Sequence, residues 1–225
     1  MPYPDLVLNI CKPAGWTSFD LVRLVKRLTG GARSGHAGTL DPFAEGVLLV
    51  CTGKETKNIQ HLVDCDKEYL AQIRLGIETD TLDITGRPVR RAPVAALTRE
   101  RIEEAFTRFA GPLCQVPPRF SALKKNGKRW FELARQGVED EPSPRTIFVH
   151  ELELLAMTNE VLSIRIRCSK GTYVRSLARD LAIELGTVGY LSRLERTRIG
   201  AYSLASSIAV KNLNRHIETL KHLVD

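Results

Sequence analysis

The stretch Gly35–Lys57, GHAGTLDPFAEGVLLVCTGKETK, sets one carboxylate, Asp41, between a Gly/Thr-rich approach and a proline, then runs into an apolar segment. Gly46–Thr52 (GVLLVCT) is a short continuous apolar run that reads as a buried strand, although its length alone also admits a helix. Asp41 then lies in the loop leading into it. Gly35 and Gly38 let backbone come close to a ligand, and Thr39 adds a hydroxyl. An Asp before Pro also has a plain role, because its side chain can cap a turn and the proline holds it extended. A loop this rigid fixes a carboxylate in one attitude. A lone carboxylate can act as nucleophile or base when an arginine from elsewhere balances its charge.

Working outward, Leu6–Cys11 (LVLNIC) reads as a strand ended by the turn Lys12-Pro13-Ala14-Gly15. From Thr17 or Ser18 as N-cap, Leu21, Val22, Val25 and Leu28 recur at helical spacing until Gly30-Gly31. Downstream, Glu68–Leu75 reads as a strand carrying Tyr69. Thr98 can cap a helix with Ile102, Ala105, Phe106 and Phe109 on one face, ended by Gly111-Pro112. Ile164, Ile166 and Cys168 alternate with polar residues as in a half-buried strand. A helix with Leu177, Leu181 and Leu185 on one stripe follows, ended by Gly186. Strands and helices intersperse without a βαβ rhythm, so the class is α+β rather than a doubly wound sheet.

The chain has 225 residues, enough for a substantial core, and 33 Lys+Arg against 26 Asp+Glu leave a net charge of +7, which suits a polyanionic partner. Apolar residues make up 43%, which excludes a mostly disordered chain, and no apolar run approaches the roughly 20 residues of a membrane span. Pro2, Tyr3, Pro4 and Asp5 do not form a secretory leader, so a cytoplasmic location is expected. Five scattered cysteines without a Cys-x-x-Cys pair read as buried reduced thiols, and five histidines show no zinc-type spacing. No metal site is expected.

Gln115–Arg145 (QVPPRFSALKKNGKRWFELARQGVEDEPSPR) resembles an inserted arm more than a core element. Its basic residues, including Lys124, Lys128 and Arg129, interleave with Phe120, Trp130 and Phe131, as in surfaces that grip phosphates and stack on bases. A solvated amphipathic segment has the same composition.

The opening stretch closely resembles the signature of the TruB-type pseudouridine synthases, which convert uridine 55 of tRNA to pseudouridine. Further segments agree in order: Lys12-Pro13-x-Gly15 with Thr17-Ser18; Asp66-Lys67-Glu68-Tyr69, then Arg74-Leu75-Gly76 and Thr79-Asp80-Thr81; Val116-Pro117-Pro118 with Ser121-Ala122-Leu123-Lys124; Cys168-Ser169-Lys170-Gly171-Thr172-Tyr173-Val174-Arg175; and Leu194-Glu195-Arg196-Thr197-Arg198-Ile199-Gly200. The resemblance covers about residues 5 to 204.

This resemblance implies a pseudouridine synthase fold: a mixed, mostly antiparallel central sheet flanked by helices, with an RNA-gripping arm inserted at about 115–145. Residues 1–205 would form the catalytic domain, and 206–225 a helical tail capped by Ser206 or Ser207 and running through Leu223, with no room for the PUA domain that many members carry. Asp41 matches the catalytic aspartate, Tyr69 the tyrosine that stacks on the extracted uracil, and Arg175 the arginine paired with the aspartate. His36 matches a histidine at the flipping site, Lys12 a support beneath the active site, and Leu191 an apolar wall of the uracil pocket. The implied substrate is the T-arm of tRNA, bound by a monomer without a protein partner. The isomerisation exchanges no electrons and imports no group, so no cofactor is expected. Two other readings share the fold: the same chemistry on another RNA site, and a tRNA-folding chaperone.

Overall fold

A computed structural model describes residues 5–138 and 140–222. Met1–Pro4, part of the stretch read as lacking a leader, and Leu223, the expected helix end, lie outside the described residues. In chain order the first elements are β1 (Val7–Lys12), α1 (Ser18–Leu28), β2 (Ser34–Ala37), β3 (Glu45–Thr52), α2 (Ile59–Asp64) and β4 (Lys67–Leu75). There follow β5 (Ile77–Thr79), β6 (Pro88–Arg91), α3 (Arg99–Phe109), β7 (Gly111–Gln115), β8 (Lys124–Lys125), β9 (Lys128–Arg129) and α4 (Trp130–Arg135). The last are β10 (Arg145–Met157), β11 (Val161–Cys168), α5 (Val174–Glu184), β12 (Gly189–Ile199), β13 (Tyr202–Ser203), β14 (Ile208–Ala209) and α6 (Leu213–His222). The class is α+β, with mixed and mostly antiparallel strand pairing.

The chain divides into two units, Met1–Tyr69 with Leu194–Asp225, and Leu70–Arg193; β4 and β12 contribute residues to both. In the first unit the apolar run of the opening motif is a strand, because both its edges are paired. β1 runs antiparallel to β3 from Val7↔Cys51 to Lys12↔Gly46, and β2 pairs with β3 from Ser34↔Thr52 to Ala37↔Leu49. β12 runs parallel to β3 at Glu195↔Glu45 and Arg196↔Gly46. Ala37, Val47, Leu49, Cys51, Leu62 and Ile199 form a buried core. The start of the motif, read as loop, is therefore strand β2, and the loop proper is residues 38–44.

α1 begins at Thr17, whose side chain accepts from the Asp20 amide while Asp20 accepts from the Thr17 amide, a reciprocal cap that satisfies two end groups. Its Leu21, Val22 and Val25 are buried. The C-terminal segment departs from the expected single helix starting at Ser206 or Ser207. Ile208 pairs in parallel with Ile10, which claims this stretch for β14, and α6 starts only at Leu213.

In the second unit, β10 pairs antiparallel with β11 on one side and with β7 on the other. α3 buries Ile102, Ala105, Phe106 and Phe109, and α5 buries Val174–Ala178 with Leu181 and Ala182. Gln115 and Arg145, the two ends of the basic excursion, are register partners on β7 and β10. The excursion thus leaves and re-enters between adjacent strands. Inside it, Asn126 (φ 50°) and Gly127 (φ 83°) turn the β8/β9 hairpin, as an Asn-Gly pair with two positive φ values does.

All five cysteines are free thiols. Cys51 and Cys168 are buried as expected, but Cys114 is exposed and Cys11 and Cys65 are half-buried. Cys114 lies on β7 at a position whose side chain faces solvent.

Candidate active site

The loop that carries Asp41 is held by its carbonyls. Gly38 O accepts from Arg196 Nη2 (3.1 Å) and Thr39 O from Arg196 Nη1 (3.4 Å). Leu40 O accepts from the buried Ser18 hydroxyl at 3.1 Å, and Ser18 Oγ in turn accepts from the Leu40 amide at 2.9 Å. Asp41 O accepts from Ala44 N (3.1 Å), and Pro42 O accepts from Gly15 N (2.8 Å) and Lys12 Nζ (3.3 Å). Five consecutive carbonyls are therefore engaged, which leaves the backbone around Asp41 little freedom. Gly38 adopts φ +84°, where a side chain would be strained.

Arg196 and Lys12 are both wholly or almost wholly buried. Arg196 also donates from Nε to Val47 O at 2.7 Å, so one guanidinium fork spans both ends of the loop. The approach of β12 demands Gly46: at φ +104°, a Cβ there would stand 2.9 Å from Arg196 N and closer still to its carbonyl oxygen. Lys12 Nζ further donates to Pro13 O (3.0 Å) and Trp16 O (2.7 Å). Burial pushes its pKa down to about 8, against the opposite pull of the Asp41 carboxylate.

His36, on β2 opposite Val50, has a buried Nδ1 without a hydrogen-bond partner. Burial, with a smaller contribution from the Arg196 charge, lowers its pKa, so the imidazole is neutral at pH 7. Tyr69, 7% exposed, is the last residue of this unit's share of β4, where Tyr69, Ala71 and Ile73 point inward in alternation. The first unit thus brings Lys12, His36 and Asp41 together around Arg196.

The second unit holds Arg175, near the start of α5 and almost fully buried. Its Nη1 lies 3.5 Å from Asp83 Oδ2 and donates to Thr81 O at 3.0 Å; its Nη2 donates to Phe120 O at 3.0 Å. Asp83 is itself fixed by Thr81 Oγ1 (2.8 Å), Thr85 N (2.9 Å) and Thr85 Oγ1 (2.6 Å). Leu191 is fully buried, and its backbone clasps the same loop: its N–H donates to Leu82 O, and its C=O accepts from Ile84 N. That clasp accompanies a positive φ of 60° at Leu82, a strained value for a leucine. The root of the arm is tied to α5, since Gln115 Nε2 donates to Tyr173 O, Gln115 Oε1 accepts from Tyr173 N, and Ser176 Oγ donates to Val116 O.

Along the arm, Lys124, Lys128 and Arg129 are exposed, whereas Trp130 is buried under Lys125, whose Nζ is 5.1 Å from the ring centroid. Phe131 lies between Arg129 and Arg135. The aromatic residues brace this excursion, and the cations are its solvent face.

Sequence reading missed Arg196 and Asp83 as site residues. Arg196 could have been found on β12, where it takes an inward position two residues after Leu194. A charge at an apolar position needs partners. Among the described residues no group of three His, Cys, Asp or Glu side chains could hold a metal ion.

Residues 26–174 match the TruB family pseudouridylate synthase (N terminal domain). A tRNA pseudouridine synthase B from Azoarcus sp. (strain BH72) is 46% identical over 209 residues, 93% of this chain and 69% of that one. One from Symbiobacterium thermophilum is 47% identical over 212 residues, 93% of this chain and 71% of the other. Among solved structures, a chain in a crystal structure of a Cbf5-Nop10-Gar1 complex superposes with a TM-score of 0.73 at 28% identity, over 97% of this chain and 56% of that one. Both the ordered motifs and the Asp41 loop they build accord with these matches, and the chain belongs to the TruB family of pseudouridylate synthases.

Proposed function

We propose that this chain isomerises uridine to pseudouridine in tRNA, at position 55 of the T-loop. The observation that carries the reading is the Asp41 loop, with every carbonyl from Gly38 to Pro42 engaged, in a chain 46% identical to a relative named tRNA pseudouridine synthase B. A uridine stacked in a folded loop hides its glycosidic bond, so the nucleotide is first extracted at a cost of a few kcal/mol. Exposed Lys124, Lys128 and Arg129 offset that cost by gripping phosphates. His36, neutral and with an unpartnered Nδ1, offers the rearranged RNA loop a hydrogen-bonding edge.

Asp41 then acts on the target nucleoside, as nucleophile or as base. The bond from the ribose carbon to N1 of uracil breaks, the uracil turns and C5 bonds to the ribose; any bond made to Asp41 is released, and the proton that leaves C5 is balanced by one taken up at N1. Tyr69 stacks on the uracil and relays the proton from C5, taking it up as its own hydroxyl proton is passed on, and Leu191 walls the uracil pocket. Arg175, held by Asp83, stands at the position of the arginine that the family resemblance pairs with the catalytic aspartate. Atoms balance without a cofactor. In this reading the chain works in the cytoplasm as a monomer; no helix among the described residues is long and apolar enough to cross a membrane.

Mapping pseudouridine in total RNA from cells with and without the protein tests the target. Loss confined to tRNA position 55 supports the reading; loss at another RNA site would move the same chemistry to that RNA.

A further inference from the structure

Outside the Asp41 loop, the first unit exposes a second surface of matching chemistry. A groove of about 570 Å³, within the range of small-ligand sites, is lined by Gly15, Trp16, Asp20, Arg23, Leu24 and Arg27. Trp16 in the lining is 36% exposed; Phe19, next to Asp20 in the chain but not itself part of the lining, is 62% exposed, with the Arg23 guanidinium 5.5 Å from its ring centroid. Arg23 and Arg27 are one helical turn apart on α1, and Lys26 beside them is also exposed. The acid in the groove, Asp20, is already engaged: it accepts from the Thr17 amide and hydroxyl and pairs with Arg23.

We infer that this groove is a second RNA contact, holding a backbone segment of the substrate away from the rearranged nucleotide. The inference rests on the proposed tRNA substrate. Two observations name RNA as the occupant. The exposed side chains pair cations with aromatic faces, the combination that grips phosphates and stacks bases. The groove is also continuous with the Asp41 loop: Gly15 N donates to Pro42 O, and Trp16 O accepts from the same Lys12 ammonium that reaches Pro42 O. RNA that presents a nucleotide to Asp41 passes close to this wall.

The test compares wild type with Phe19→Ser/Arg27→Gln and, separately, Arg23→Glu/Arg27→Glu, all at surface positions. Binding of a full-length tRNA transcript is followed by fluorescence anisotropy across a KCl series, with kcat and KM for pseudouridine formation and melting by circular dichroism. Both variants are expected to melt like wild type and keep kcat within about 2-fold. Both should bind about 10-fold more weakly with KM raised to match, and the log Kd against log salt slope should fall by about 1 to 2. A Kd and slope equal to wild type, with or without a change in kcat, would overturn the proposal and leave the groove to a protein partner. A wild-type chain that forms no pseudouridine would sink the functional reading alone; groove variants that bind like an active wild type would sink only this one.

Discussion

The guanidinium of Arg196 donates to the carbonyl of Gly38 at 3.1 Å, three residues before Asp41, and reaches Val47 O beyond it at 2.7 Å. One buried side chain thus spans the loop that carries the acid. Arg196→Met should leave these carbonyls buried and unsatisfied, at about 1–3 kcal/mol for each lost partner. Urea unfolding is expected to show a loss of about 3 kcal/mol, and kcat to fall at least about 10-fold while RNA affinity stays within about 3-fold. Arg196→Lys should recover only part of the rate, because an ammonium cannot reproduce the fork.

Asp83 and Arg175 form an ion pair almost sealed from solvent. Removing Asp83 takes one acceptor from a buried guanidinium that keeps others, so Asp83→Ala is expected to cost about 1–3 kcal/mol in chemical denaturation. A cost well below that would mean that acceptors such as Thr81 O and Phe120 O suffice for Arg175.

Much of this architecture is legible in the sequence, and the omissions have physical causes. α1 is written in its cap and stripe, because Thr17, Asp20 and the buried Leu21, Val22 and Val25 obey local rules. β10 is not: register shifts between Val149 and Glu151 and between Leu154 and Ala156 break its period of two. β14 escapes because two residues carry no pattern, and only pairing with Ile10 and Cys11 makes them a strand. Asp41 and His36 stand in one segment and Lys12 in a turn motif of its own 30 residues before Pro42, whereas Arg196 reaches their loop from 157 residues away, a closeness that no local pattern encodes.

Lys12 gives a pH signature. Below about pH 8 its ammonium is charged in both folded and unfolded chains, so the burial cost stands in full. Between about 8 and the ordinary 10.5 the folded chain releases a proton that the unfolded chain keeps, and stability rises with pH. Relative to Lys12→Met, wild type should gain up to about 3 kcal/mol across that window, measured by urea unfolding at a series of pH values. A constant difference would refute the buried ammonium.

His36 should titrate below the ordinary imidazole value. Its folded pKa is depressed, so its contribution to stability is present above the ordinary value of 6.5 and is lost as pH falls below it. Titration of its ring proton by NMR is expected to show a midpoint under 6.5; a midpoint at or above that value would mean that a partner stabilises the charged ring.

The central claim is that Asp41 does the chemistry while the rest of the loop holds it still. Asp41→Asn keeps the size and removes the charge. Pseudouridine formation on a T-arm stem-loop should then disappear, with the RNA Kd within about 2-fold of wild type. Full activity in that variant would contradict the account.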